Sequence, residues 1–164
     1  MKIVILGAGQ VGSTVANALV HEDNDITIVD IDQQRLKELQ DQMDIRSVLG
    51  HASHPKVMER AGIEDADLVI ALTNSDEVNM TACQIAYTLY NVPTRVARVR
   101  AAAYTDRPEI FHREHTPVDV LISPELLLTQ YISRLIEYPG ALQVLDFADG
   151  RAQLVATGAE AGGL

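Results

Sequence analysis

Gly7-Ala8-Gly9-Gln10-Val11-Gly12 stands directly behind the apolar run Ile3-Val4-Ile5-Leu6 and opens a helical stripe of Val11, Val15, Ala16 and Leu19. A Gly-x-Gly-x-x-Gly sequence is weak by itself, but between a strand and a helix it marks a dinucleotide-binding turn. Gly7 permits the tight turn, Gly9 lets the backbone approach a pyrophosphate, and Gly12 lets the helix pack closely on the sheet. The helix start then offers free N–H groups and a partial positive charge to the phosphates. Asp30 closes the next apolar run, 18 positions after Gly12. An acid at that place accepts hydrogen bonds from the ribose hydroxyls of adenosine. It would repel a 2′-phosphate, so NAD or an adenine nucleotide is favoured over NADP. Asp32 can reach the same ribose or cap the helix that begins at Gln33, and the cap is the simpler reading.

Outward from this turn, β-branched runs at residues 3–6, 26–29, 46–49, 68–72, 95–99 and 120–122 alternate with helical periodicity. The stripes are Leu36, Leu39 and Met43 in one helix and Val78, Ala82, Ile85, Ala86 and Leu89 in another. Alternation of this kind predicts an α/β fold, a Rossmann-like doubly wound parallel sheet of about six strands covered on both faces. Ser123-Pro124-Glu125 starts an amphipathic crossover helix running to about Ile136, Tyr138-Pro139-Gly140 stops it, and a short β-hairpin with an Asp149-Gly150 turn follows. The predicted organisation is a nucleotide-binding domain over residues 1–122, a crossover helix and hinge over 123–140, and the truncated start of a C-terminal domain over 141–164.

Other chemistry-bearing groups gather at strand ends. Thr73 and Asn74 follow the fourth strand, where open α/β sheets bind ligands, and can contact the far half of a dinucleotide. In the same segment Ser75 or Asp76 can cap the next helix. Arg98 and Arg100 share one side of the fifth strand, near its carboxyl end, where a guanidinium can clamp a phosphate; a solvated ion pair is the alternative for Arg98 and the simpler reading for Arg95. Gly50-His51-Ala52-Ser53 follows the third strand and can border adenine, although Ser53 before Pro55 can equally cap a helix. His112 and His115 lack the further ligands a metal site needs, so no metal is expected.

Composition narrows the function classes. The 164 residues, 47% hydrophobic, suffice for one ordinary domain, and the formal charge of −10 opposes binding to nucleic acid or an anionic lipid surface. Cys83 is the single cysteine, which suits a reducing cytosol. No signal peptide or stretch of about 18 apolar residues is present, so neither export nor direct membrane insertion is expected. A dehydrogenase needs a substrate pocket and an acid–base residue beside its nicotinamide, for which a chain spent on the nucleotide fold leaves little material. The expectation is therefore no enzyme, with an NAD-dependent oxidoreductase cofactor domain as the alternative; the glycine sequence argues against a methyltransferase.

The residues also resemble a known family, the cytosolic TrkA subunits of bacterial Trk potassium-uptake systems, whose domains are called KTN or RCK N-terminal domains. The resemblance covers nearly the whole chain. It rests on residues 1–12, Val29-Asp30, Gly50-His51, Ala61-Gly62 with Ala66-Asp67, Thr73-Asn74-Ser75-Asp76-Glu77-Val78-Asn79 and Ala97-Arg98. Most specific are Leu121-Ile122-Ser123-Pro124-Glu125 and Arg134-Leu135-Ile136-Glu137-Tyr138-Pro139-Gly140-Ala141-Leu142. It implies a regulatory subunit that binds NAD or NADH, or ATP or ADP at the same site, and gates a Trk-type potassium transporter membrane subunit. It further implies a homo-oligomer, a dimer or tetramer ring, that is cytoplasmic and peripheral to the inner face of the membrane through its partner. Gly7, Ala8, Gly9, Gln10, Val11, Asp30, Thr73, Asn74 and Arg98 match the family's nucleotide contacts. Many relatives carry Gly-Asp-Ala where this chain has Gly50-His51-Ala52. Relatives are also longer, often with a second copy of the two-domain unit.

Overall fold

The computed structural model describes residues 1–112, 114–138, 141–147 and 152–157. Two compact units are present, Met1–Ile122 and Ser123–Leu164. In the first, strands and helices alternate: β1 (Lys2–Leu6), α1 (Gln10–Val20), β2 (Asp25–Asp30), α2 (Gln33–Gln42), β3 (Arg46–Leu49), α3 (Pro55–Arg60), β4 (Leu68–Ala71), α4 (Asp76–Tyr90), β5 (Thr94–Arg98), α5 (Ala102–Thr105) and β6 (Val120–Ile122). The six strands form one sheet in the order β3-β2-β1-β4-β5-β6. Every pairing in it is parallel, the Rossmann-like doubly wound arrangement that the alternation predicts.

Strand side chains alternate between faces, and β1 shows the consequence. Ile3 and Ile5 belong to one core with Ile26, Ile28, Ala16, Leu36 and Leu39, while Val4 and Leu6 belong to the other with Val69, Met58, Ala82 and Ala86. With a core on each face the strands are apolar on both sides, and Ile5, Leu6, Ile28 and Val69 are all fully buried. Burying one such side chain is worth about 1.5–3 kcal/mol relative to leaving it in water.

Helix starts follow local chemistry, with two differences from the sequence reading. Asp32 caps α2, its Oδ1 accepting from the N–H groups of Gln34 at 3.0 Å and Arg35 at 3.3 Å. Ser75 caps α4 by accepting from the Val78 N–H at 3.3 Å. Ser53, by contrast, caps nothing. His54 holds the N-cap position of α3 ahead of Pro55, and the Ser53 hydroxyl turns back to His51 Nδ1 at 3.1 Å. The stripe of α4 is also rotated from the one expected: its buried residues are Asp76, Asn79, Ala82, Cys83 and Ala86, while Leu89 is 56% exposed.

Arg95 departs furthest from expectation. It is 2% exposed rather than solvated, paired with Asp119 at 2.7 Å and donating to the carbonyls of Val92 and Pro117, with its guanidinium over the Tyr87 ring. A buried guanidinium needs such a full set of partners. The acid that supplies the charge lies 24 positions downstream, so spacing along the chain gives no hint of it.

The second unit contains α6 (Pro124–Glu137), β7 (Ala141–Phe147) and β8 (Ala152–Thr157). β7 and β8 pair antiparallel, with Val144 opposite Val155. The expected helix stop at Pro139-Gly140, the Asp149-Gly150 turn and the tail at 158–164 lie outside the described residues. No helix among the described residues is long and apolar enough to cross a membrane.

Candidate functional site

Where the strand order reverses, between β1 and β4, the connections on the carboxyl edge leave in opposite directions and open a crevice. A cavity of about 760 Å³ occupies it, lined by Gly7, Ala8, Gly9, Gln10 and Val11 from the glycine turn, Asp30 from β2, His51 after β3, Thr73 and Asn74 after β4, and Arg98 at the end of β5. Gly12 is not on this wall. It is buried within α1.

The three glycines serve three different constraints. Gly7 has φ +110°, and a Cβ on it would lie 2.9 Å from the Leu72 backbone, so a side chain there is excluded both by conformation and by space. Its N–H donates to the Val29 carbonyl at 2.7 Å, and the Leu72 N–H donates to the Leu6 carbonyl at 2.7 Å, which ties the turn to both neighbouring strands. A Cβ on Gly12 would sit 1.9 Å from the Gly7 carbonyl oxygen, so the start of α1 rests directly on the turn. A Cβ on Gly9 would meet nothing within 4 Å. Gly9 is the N-cap of α1 and makes no side-chain cap, and the first intrahelical bond runs from the Ser13 N–H to the Gly9 carbonyl at 2.9 Å. The N–H groups of Gln10, Val11 and Gly12 therefore precede the helical ladder.

Asp30 faces this helix start. Its Oδ2 accepts from the Ala8 N–H at 2.6 Å and its Oδ1 from the Asp32 N–H at 2.8 Å. These bonds fix the carboxylate and still leave lone pairs on both oxygens for the two hydroxyls of a ribose.

The opposite wall is held by two polar residues buried on α4. Asn79, 0% exposed, accepts at Oδ1 from the Thr73 N–H at 2.9 Å and the Thr73 hydroxyl at 2.7 Å. Its Nδ2 donates to the Thr73 carbonyl at 3.2 Å and the Arg98 carbonyl at 2.9 Å. Asp76, also buried, accepts at Oδ2 from the N–H groups of Arg100 and Ala101, both at 2.8 Å. Burial works to raise its pKa. The Ala101 and Arg100 N–H groups and the Arg100 guanidinium outweigh that, and the carboxyl ends below its ordinary value. Arg100 is spent on this work, paired with Asp76 and donating to the Asn74 carbonyl, whereas the Nε of Arg98 is buried with no hydrogen-bond partner.

A family model described as the TrkA-N domain matches residues 3–124. The chain belongs to the TrkA-N domain family. It is 60% identical over 163 residues to the Trk system potassium uptake protein TrkA of Halomonas elongata, a match covering 99% of this chain and 36% of that protein. With the protein of the same description from Vibrio alginolyticus it shares 58% over 164 residues, again 99% of this chain and 36% of the relative. The chain thus spans about a third of the relatives it matches. Among solved structures, the TrkA-N domain of inner membrane protein ybaL from Escherichia coli aligns with TM-score 0.70 at 21% identity, covering 82% of this chain and 96% of that one. GsuK bound to ADP aligns at 0.66 and 22%, covering 84% and 34%, and the GsuK channel bound to NAD at 0.61 and 18%, covering 75% and 21%. At such identities these three share the fold.

The cleft of this TrkA-N domain suits a nucleotide on three counts: free space over Gly9 beside unpaired helix N–H groups, a fixed carboxylate at Asp30, and an unsatisfied, buried Arg98 Nε. Among the described residues no group of three or more His, Cys, Asp and Glu could hold a metal ion.

Sequence reasoning assigned no role to Asn79 and read Asp76 only as a cap. The available signal was positional. Asn79 lies three, four and seven residues before Ala82, Cys83 and Ala86, so a polar amide falls on the buried stripe, and a buried amide must find partners. His51 lies on the cavity wall, with its ring stacked on His54 at 4.7 Å between centroids.

Proposed function

We propose that this chain is the nucleotide-sensing portion of a regulatory subunit for potassium uptake. In this reading residues 1–122 bind NAD(H), ATP or ADP, residues 123–140 form a crossover helix and hinge, and residues 141–164 begin a C-terminal domain. The observation that carries it is the unsatisfied cleft at the sheet's switch point in a TrkA-N family member. Adenosine ribose hydrogen-bonds to Asp30, the phosphates lie over Gly9 against the N–H groups of α1, and the ligand's far half meets Asn74 and Arg98. His51 borders the base. The partner is the membrane subunit of a Trk-type transporter, and the subunit works in the cytoplasm at the inner face of the membrane as a homo-oligomeric ring. Bound NAD and ADP in the GsuK neighbours, together with the descriptions of the close relatives, support the assignment. No acid–base chemistry on the ligand is required, because regulation needs only binding that differs between two states.

The test is a thermal scan with NADH, NAD, ATP, ADP and NADPH, each at a hundredfold over its Kd where one is measurable. Such saturation adds about 2.7 kcal/mol, and each kcal/mol raises the midpoint by roughly 2–4 °C for a chain of this size. Shifts of about 5–11 °C are therefore expected from the adenine nucleotides. NADPH should need a higher concentration, because its 2′-phosphate meets Asp30. A midpoint unmoved by every ligand refutes the reading.

A further inference from the structure

We infer that Asn79 is a positioning residue that sets selectivity for nucleotides reaching past the glycine turn. The inference rests on the nucleotide reading of the cleft. An Asn side chain has two donor hydrogens and two useful acceptor directions, and all four are spent here on Thr73 and Arg98. Asn79 does not line the cavity itself; it is fully buried behind Thr73 and Arg98, which do. Asn79 thereby joins the end of β4 to the end of β5 across the far wall and fixes the main chain from which the Arg98 guanidinium departs.

The same network reassigns Thr73. Its hydroxyl has one hydrogen, and the nearer acceptor is Asn79 Oδ1 at 2.7 Å, with the Ser75 carbonyl at 3.2 Å. The hydroxyl also accepts from the Ser75 N–H at 3.3 Å. A hydroxyl whose only proton is held by Asn79 has none to give a phosphate oxygen. Positive and donating groups for the ligand's far half then come from Arg98, whose Nε is buried and unpartnered, while Thr73 serves as a spacer that Asn79 holds. AMP, which ends at its single phosphate on the glycine turn, depends on Gly9 and Asp30. ATP and NADH extend to Arg98 and depend on Asn79 as well.

Titration calorimetry of the chain with AMP, ATP and NADH, before and after Asn79→Ala and Asn79→Ser, tests this. Both variants should lose about tenfold or more in affinity for ATP and NADH, equivalent to about 1.4 kcal/mol, and keep AMP within about twofold. Equal losses for all three ligands would mean a general structural role and overturn the inference, as would unchanged affinity for ATP and NADH. If the unaltered chain binds none of the three, the nucleotide reading itself fails, which is a separate outcome. Should the variants not fold, the unaltered chain still decides the matter by NMR. The Asn79 side-chain amide and the Arg98 Nε–H should shift on adding NADH or ATP and stay put with AMP; a full-sized shift with AMP would overturn the inference.

Discussion

Replacing Gly9 and Gly12 separately by alanine should divide binding from stability, although the two lie three residues apart in one motif. At Gly12 the new methyl would lie 1.9 Å from the Gly7 carbonyl oxygen and 3.0 Å from its carbonyl carbon. An ordinary contact is near 3.4 Å, so α1 and the turn must separate by about 1.5 Å. Both sides of the clash are main chain, which cannot rotate away as a side chain can. Overpacking of a close-packed interior costs about 1–3 kcal/mol, and this case belongs at the upper end, a fall in midpoint of roughly 6–12 °C. At Gly9 the backbone is extended, with φ −71° and ψ −173°, and the methyl meets no protein atom. Alanine is a poorer N-cap than glycine by some tenths of a kcal/mol, but it restricts the unfolded chain by about 0.4–1 kcal/mol, so the midpoint should move by less than about 2 °C. The methyl then occupies the space a pyrophosphate needs, and NADH affinity should fall at least tenfold. Calorimetric melting and NADH titration of both variants check this. A Gly9→Ala protein that binds NADH like the parent, or a Gly12→Ala protein that melts like it, refutes the division of roles.

Two further outcomes follow from buried charge. Asp76 has a folded pKa below its ordinary 3.8, so the stability it contributes is present above that value and is lost as pH falls through the folded pKa; Asp76→Asn should cost about 2–4 kcal/mol at pH 7, with the gap to the parent closing below about pH 4 in acid-unfolding curves. Asp119→Ala leaves the Arg95 guanidinium buried without its counter-charge, which costs about 3–5 kcal/mol, and a double replacement that also changes Arg95 to Met should recover part of that loss in urea unfolding; a loss under about 0.5 kcal/mol would mean the pair behaves as a surface one.

What was legible in the sequence was whatever depends on neighbours along the chain. The six strands and the Asp32 cap rest on a period of two or 3.6 residues or on local contacts, and the glycine turn and Asp30 were legible through a motif of fixed spacing, although their bonds reach other strands: Asp30 accepts from Ala8 across 22 positions. What was hidden depends on pairs brought together by the sheet. Asp76 reaches Ala101 across 25 positions and Asn79 reaches Arg98 across 19, and Arg95 finds Asp119 across 24. Until its partner is known, Arg95 reads as surface, Asp76 as a helix cap, and Asn79 as nothing in particular. The correct inference runs the other way: a polar residue on a buried stripe is a demand for a partner, and at the carboxyl edge of a parallel sheet that partner belongs to the ligand wall.

This division bears on how a ligand could regulate. The cleft is made of two halves, the glycine turn and Asp30 from the β1 to β3 side and Asn74, Thr73 and Arg98 from the β4 to β6 side. A ligand touching one half has no stake in how the halves are spaced, whereas one that bridges them binds best at a single spacing. Only such differential affinity can shift an equilibrium. Reversing a 1:99 preference to 99:1 takes a ratio of about 10⁴, some 5.5 kcal/mol. Asked of one site, that is the loss of several charged hydrogen bonds at once. Shared among four copies moving together, it is about tenfold per site, the same magnitude that the Asn79 and Arg98 contacts would give a bridging ligand over AMP. On the proposed regulatory reading, assembly into a ring would make a preference of about tenfold per site sufficient.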